Sequence, residues 1–210
     1  MNIAIIGSGN VGGALGRRWA QAGHQVIFGS RDPGADDIKK LVAESGANAK
    51  AASLAQAAQA GDILMFSMPW PAVRQVLESL GDLSGKLLID ATNPLKPDLS
   101  GVDTGTTTSA AEQVAQWARG AKVVKAFNTV GYNIMANPAF GSEKPVMFYC
   151  GDDKDAKSKV KPLIDELGFE AVDAGPLAQA RTLEPFALLW ISLAYANGLG
   201  REIAFKLMRR

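Results

Sequence analysis

The stretch Asn2-Ile3-Ala4-Ile5-Ile6-Gly7-Ser8-Gly9-Asn10-Val11-Gly12 joins a short apolar run to the spacing G-x-G-x-x-G. A helix pattern follows at once, with Leu15, Trp19 and Ala22 on one face. The glycine spacing alone is a weak pattern, but a strand before it and an amphipathic helix after it make it the opening βα unit of a Rossmann fold. Gly7 allows the tight turn, Gly9 lets the backbone approach a pyrophosphate, and Gly12 lets the helix pack close to the strands. The amides at the helix start attract the anion. Gly7, Ser8, Gly9, Asn10 and Val11 are therefore expected to hold a dinucleotide.

The next apolar run, Gln25 to Phe28, is followed by Gly29-Ser30-Arg31-Asp32. At about this distance from the glycines an NAD-binding chain places a carboxylate on the ribose hydroxyls. Here Ser30 and Arg31 stand instead. A guanidinium can make paired charge-assisted hydrogen bonds to a 2′-phosphate, which a carboxylate would repel. The expectation is NADP(H) in preference to NAD(H). Asp32 reads as a turn or cap residue before Pro33, and His24, the only histidine, as a structural residue in the turn before the second strand.

Short apolar runs alternating with helix patterns continue along the chain, which predicts repeated βαβ units and a mainly parallel, doubly wound α/β sheet of eight or nine strands. Strands are expected at Asp62 to Ser67, Lys86 to Asp90, Val123 to Phe127, Val146 to Cys150 and Phe169 to Asp173. Helices are expected at Ala35 to Glu44, Ser53 to Ala60, Ala72 to Leu80, Ser109 to Arg119 and Asp155 to Leu167. Pro94 to Thr108 reads as a loop ending in a helix capped by Thr108 or Ser109. A Rossmann-type domain is expected over 1–180. Residues 181–210 read as a small C-terminal helical extension, either a lid on the acceptor pocket or a dimer contact, ending in a solvated Met208-Arg209-Arg210.

Twenty-two basic and 21 acidic side chains leave a formal net charge of +1, which gives no sign of a nucleic-acid partner. The apolar segment Pro185 to Leu199 is too short and too interrupted for a membrane span and reads as a buried helix. The chain starts with a strand rather than a signal peptide. Its single cysteine, Cys150, follows an apolar run and reads as a buried, inert thiol, so no disulfide is expected and a cytoplasmic setting fits.

Beyond the glycine loop and Gly29-Ser30-Arg31, the chain carries Ser67-Met68-Pro69-Trp70, Val124-Lys125-Ala126-Phe127-Asn128-Thr129 and Ala174-Gly175-Pro176-Leu177. With these it resembles the NADPH:coenzyme F-420 oxidoreductase family almost end to end, and is similar to the cytosolic NADPH domain of six-transmembrane metalloreductases. The resemblance implies hydride transfer between NADP(H) and a deazaflavin, F-420, or a flavin such as FMN. It implies that Ser67, Met68, Pro69 and Trp70 lie over the cofactor, and that Ala126 to Val130 form the wall beside the nicotinamide, with Asn128, Thr129 and Val130 toward the acceptor. Asn93, with Thr92, either contacts the cofactor or forms an Asx-type turn before Pro94. Gly198, with Arg181, Glu184 and Asn197, is implied at the acceptor pocket; the alternative for Arg181 is a surface arginine, exposed or paired with Glu184. The sequence departs from the archaeal pattern at Asn128 and Ala72, where those enzymes carry histidine, and at Gly131, where they carry proline.

No metal site and no catalytic side chain is expected: hydride transfer between stacked rings needs positioning and exclusion of water. Two other readings remain at this point. One is an imine or β-hydroxyacid reductase with Lys125 as proton donor. The other is a non-catalytic NADPH sensor. A homodimer through the apolar C-terminal helix is expected.

Overall fold

The computed structural model describes residues 1–210. Eight strands form one sheet in the order β3-β2-β1-β4-β5-β6-β7-β8. They are β1 (Asn2–Ile6), β2 (Gln25–Ser30), β3 (Ala49–Ser53), β4 (Ile63–Phe66), β5 (Leu87–Asp90), β6 (Lys122–Lys125), β7 (Val146–Gly151) and β8 (Glu170–Asp173). β1 to β6 are all parallel; β7 runs antiparallel to β6, and β8 parallel to β7. The mainly parallel, doubly wound sheet is therefore the one the sequence pattern predicts. After β3 at one edge the chain crosses back to place β4 on the other side of β1. Ligands of open α/β sheets bind outside the strand ends at such a reversal.

Alternating side chains of β1 go to opposite faces, as period two requires. Ile3 and Ile5 enter one core layer with Leu15 and Trp19 of α1 (Asn10–Gln21) and Val160, Leu163 and Ile164 of α7 (Lys154–Asp165). Ala4 and Ile6 enter the other, with Ala57 and Ala58 of α3 (Leu54–Ala60), Leu77 of α4 (Val73–Ser79) and Val114 of α5 (Ala110–Trp117). The Trp19 indole N–H donates to the Leu163 carbonyl at 3.1 Å, so the largest side chain of α1 is both packed and satisfied. Ser53 and Gln56 form a capping box at α3, and Ser109 caps α5 by accepting from the Glu112 amide.

Two expectations need correction. β3 was not located from the sequence: its Ala49-Lys50-Ala51-Ala52-Ser53 has no β-branched or aromatic residue, and it sits at the edge, held by pairing with β2. The C-terminal helix is shorter than 181–210. α8 covers Ala180–Ile191, a π turn occupies Ser192–Ala196, and residues 201–210 are not helical. That tail runs back over the body: the Phe205 carbonyl accepts from the Val146 amide at 2.8 Å, and Ile203 accepts from the Trp190 indole at 2.8 Å.

Candidate functional site

The glycine loop is packed so tightly that its residue types are dictated by sterics. A Cβ on Gly12 would lie 2.1 Å from the Gly7 carbonyl oxygen, and one on Gly7, whose φ is +104°, would lie 2.3 Å from the Ser67 carbonyl oxygen. The Ser67 hydroxyl donates to the Gly7 carbonyl at 2.9 Å, tying the end of β4 to the loop. Gly9 is different, since a Cβ there would meet no protein atom within 4 Å. It is also the N-cap of α1, and no side chain caps that helix or places an acid in its first turn. No side chain thus competes for the first-turn amides, and the approach to them is open, which suits a pyrophosphate.

That open approach is a cleft of about 710 Å³ at the carboxyl ends of β1, β2 and β4. Gly7, Ser8, Gly9, Ser30, Arg31, Ser67, Met68 and Pro69 all line it. The Ser30 hydroxyl turns locally toward Asp32, donating to its carbonyl at 3.0 Å, and Asp32 in turn accepts from the Gly34 amide, as a turn residue does. Arg31 is exposed at the cleft wall. Gly29 and Ala72 line it too, and sequence reading missed Asp37, Ile38, Leu54, Gln75, Val76 and Ser79. They come from the starts and faces of helices and carry no motif.

A second cavity, about 470 Å³, gathers Val11, Asn93, Leu99, Asn128, Val130, Gly131, Tyr132, Ala187, Trp190, Ile191 and Tyr195. Val11 lies two residues beyond Gly9, so the helix start borders both spaces. The wall is mostly apolar with one polar clasp, in which the Asn93 side-chain amide donates to the Asn128 carbonyl at 2.9 Å. The Asn128 amide donates back to Asn93 Oδ1 at 3.1 Å and to the Leu183 carbonyl at 3.0 Å. Asn128 Oδ1 has no partner. Phe127, just before it, holds φ +63°, a strained value for a side chain of that size, fixed by burial edge-on to Trp19 with ring centroids 5.6 Å apart. Thr129 is buried in the same turn.

Five residues with assigned site roles line neither cavity, the buried Thr129 among them. Ala126 is in the core, its amide donating to the Asp90 carbonyl. Asn10 is exposed. Trp70 stacks on Trp117, centroids 5.5 Å apart, and its ring belongs to the α4–α5 packing. Gly198 is exposed beyond the π turn, where φ +70° accounts for its being glycine.

Behind the clasp lies a group of charges that sequence reading did not connect. Lys125 Nζ lies 2.9 Å from Asp90 Oδ2 and 2.9 Å from Glu184 Oε1, and also donates to the Thr92 carbonyl. All three side chains are at most 1% exposed. Burial pulls the Lys125 ammonium down, but the two carboxylates outweigh it and the net shift is upward. Glu184 also accepts from the Ala110 and Ala111 amides at the start of α5. Arg181 is paired elsewhere, in a two-pronged contact with Glu112 at 2.9 and 2.6 Å. Cys150 is fully buried, and desolvation pushes its thiol up to about 12, which makes it inert. His24 bridges Glu166 and the Met1 amine, away from both cavities. No cluster of three or more metal-ligating side chains is present.

Residues 2–94 match the family described as NADP oxidoreductase coenzyme F420-dependent. An F420-dependent NADP reductase from Methanothermobacter marburgensis is 33% identical over 94% of both chains. The chain belongs to the F420-dependent NADP reductase family. It is accordingly an NADP-dependent oxidoreductase. A protein from Arthrobacter sp. FB24, provisionally named an F420-dependent NADP reductase, is 30% identical over the whole of both chains, and its crystal structure superposes with a TM-score of 0.89. Metalloreductase STEAP3 of Rattus norvegicus is 27% identical over 89% of this chain, which spans 36% of that protein. No helix is long and apolar enough to cross a membrane.

Proposed function

We propose that the protein passes a hydride from NADPH to a flavin-type or deazaflavin ring, with the cofactor in the 710 Å³ cleft and the acceptor ring in the 470 Å³ pocket that adjoins it. The observation that carries this reading is the pocket's composition. Val11, Val130, Trp190, Ile191 and Tyr195 offer flat apolar surface, while the Asn93–Asn128 clasp offers polar contacts at one side. NADPH bound in the cleft supplies the hydride chemistry. The chain's own part is to seat the pyrophosphate on the amides of α1, to hold the 2′-phosphate with Arg31 and Ser30, and to keep two rings in register with water excluded. Ser67 fixes the glycine loop, and the clasp fixes the turn after β6.

Mixing the protein with NADPH and either F-420 or FMN tests the reading: loss of nicotinamide absorbance supports it. Tight NADPH binding without oxidation by either ring compound would favour the sensor reading. A Lys125-dependent imine or β-hydroxyacid reductase is disfavoured, because all three ammonium protons are engaged by Asp90, Glu184 and Thr92 and the group has no exposure. We place the homodimer contact at the exposed Leu189 and Leu199, and sedimentation velocity checks it through the mass of the particle.

A further inference from the structure

The buried group behind the clasp carries an unbalanced charge. Asp90 Oδ1 accepts from the Thr92 amide at 2.9 Å and its hydroxyl at 2.7 Å, and Oδ2 accepts from Lys125. Glu184 Oε1 accepts from the Ala111 amide and Lys125, and Oε2 accepts from the Ala110 amide. Every carboxylate oxygen faces donors, so both side chains are anions. One ammonium against two carboxylates leaves one negative charge, and the start of α5 offsets about half of it. The remainder is sealed from solvent, where salt screens it weakly.

Its placement is specific. Lys125 holds the carbonyl of Thr92, the residue before Asn93. Asn128 donates to the carbonyl of Leu183, the residue before Glu184. The network thus meets both halves of the clasp, with the Lys125 ammonium on the residue before Asn93 and the Glu184 carboxylate next to the residue that Asn128 holds.

We propose that this buried negative charge biases the bound cofactor toward its oxidised form, making NADPH in this site a stronger hydride donor. The inference rests on the proposed function, in which the nicotinamide stacks on the acceptor ring where the cleft meets the pocket that the clasp borders. When hydride leaves C4, two electrons and the hydrogen pass to the acceptor ring and the nicotinamide goes from neutral to cationic. A nearby buried anion lowers the energy of the cation and leaves the neutral ring nearly untouched.

The test is the ratio of dissociation constants, NADP+ over NADPH, measured by titration calorimetry without any acceptor. Glu184→Gln is expected to raise that ratio on the order of fivefold, while the charge-preserving Lys125→Arg leaves it unchanged. Equal weakening of both forms by Glu184→Gln would mean that the network only positions the turn, and would overturn the proposal. Asp90→Asn serves in its place if Glu184→Gln does not fold. Should neither fold, the wild type decides: NADPH bound more tightly than NADP+ overturns the proposal, and the reverse supports it. A wild type that binds neither form would defeat the cleft assignment along with it. A ratio that shifts as expected, in a protein that reduces neither F-420 nor FMN, would support this inference and sink only the choice of acceptor.

Discussion

Asn93 and Asn128 hold each other reciprocally, side-chain amide to backbone carbonyl at 2.9 Å in one direction and amide to amide oxygen at 3.1 Å in the other. The pair joins the end of β5 to the turn after β6, and both residues border the proposed acceptor pocket. Asn128→Ala would strip donors from Asn93 Oδ1 and the Leu183 carbonyl, at a cost of about 1–3 kcal/mol in stability. The expected kinetic signature is a drop in hydride-transfer rate with little change in NADPH affinity, read by single-turnover absorbance. Unchanged rate and acceptor KM would remove Asn128 from the site.

Arg31 stands exposed on the cleft wall beside Ser30. If it pairs with a 2′-phosphate, Arg31→Ala forfeits charge-assisted hydrogen bonds with a combined value of about 2–3 kcal/mol. NADPH affinity should then fall by tens of fold, on the order of RT-scaled loss, while NADH affinity stays near its wild-type value. Equal losses for the two cofactors would show that Arg31 does not read the phosphate.

Lys125→Met leaves Asp90 and Glu184 facing each other without a cation, and breaking a buried pair in this way is expected to cost about 3–5 kcal/mol. Urea unfolding measures it, and a loss under about 1 kcal/mol would mean that the group behaves as an exposed pair. The pH dependence has a definite sign. The folded ammonium is held above its ordinary 10.5, so its contribution is complete at neutral pH and is lost only as pH climbs through the raised value.

Arg181 presents the opposite case, a partly exposed pair with Glu112. The Arg181 guanidinium holds the Glu112 carboxyl below its usual range, so the stabilisation is present above pH 4.5 and lost as pH falls through the lowered value. Arg181→Ala should cost under about 1 kcal/mol and leave the acceptor KM unchanged. A large KM increase would restore the reading that puts Arg181 at the acceptor pocket.

The difference between Arg181 and Lys125 shows where sequence reading stops. Gly7 and Gly12 were legible because backbone packing demands glycine at that spacing within one βα unit, and Ser30 and Arg31 because they follow the next strand directly and so reach the same cleft. Lys125, Asp90 and Glu184 lie on β6, β5 and α8, and no spacing brings them together. Only the sheet order and the return of α8 to the start of α5 do. The same holds for Gln75, Val76 and Ser79, which share the cleft through one face of α4. Trp70 shows another limit: its motif position points to the cofactor, and nothing in the spacing announces that its ring stacks on Trp117, 47 positions further on.

Gly9 and Gly12 separate binding from folding within a single loop. A methyl at Gly12 would sit 2.1 Å from the Gly7 carbonyl oxygen and 2.7 Å from Ile5 Cγ2, so α1 would have to lift off β1. Gly12→Ala is expected to cost about 1–3 kcal/mol, measured by urea unfolding without cofactor. A methyl at Gly9 meets no protein atom within 4 Å, and its φ of −71° suits alanine. The poorer N-cap and the lower entropy of the unfolded chain act in opposite directions there, leaving stability within about 0.5 kcal/mol of wild type. The methyl would instead occupy the approach of the pyrophosphate to the α1 amides. NADPH affinity should therefore fall at least about tenfold, the equivalent of 1.4 kcal/mol, in a protein as stable as its parent. Wild-type NADPH binding by Gly9→Ala would mean that the pyrophosphate does not lie against this loop.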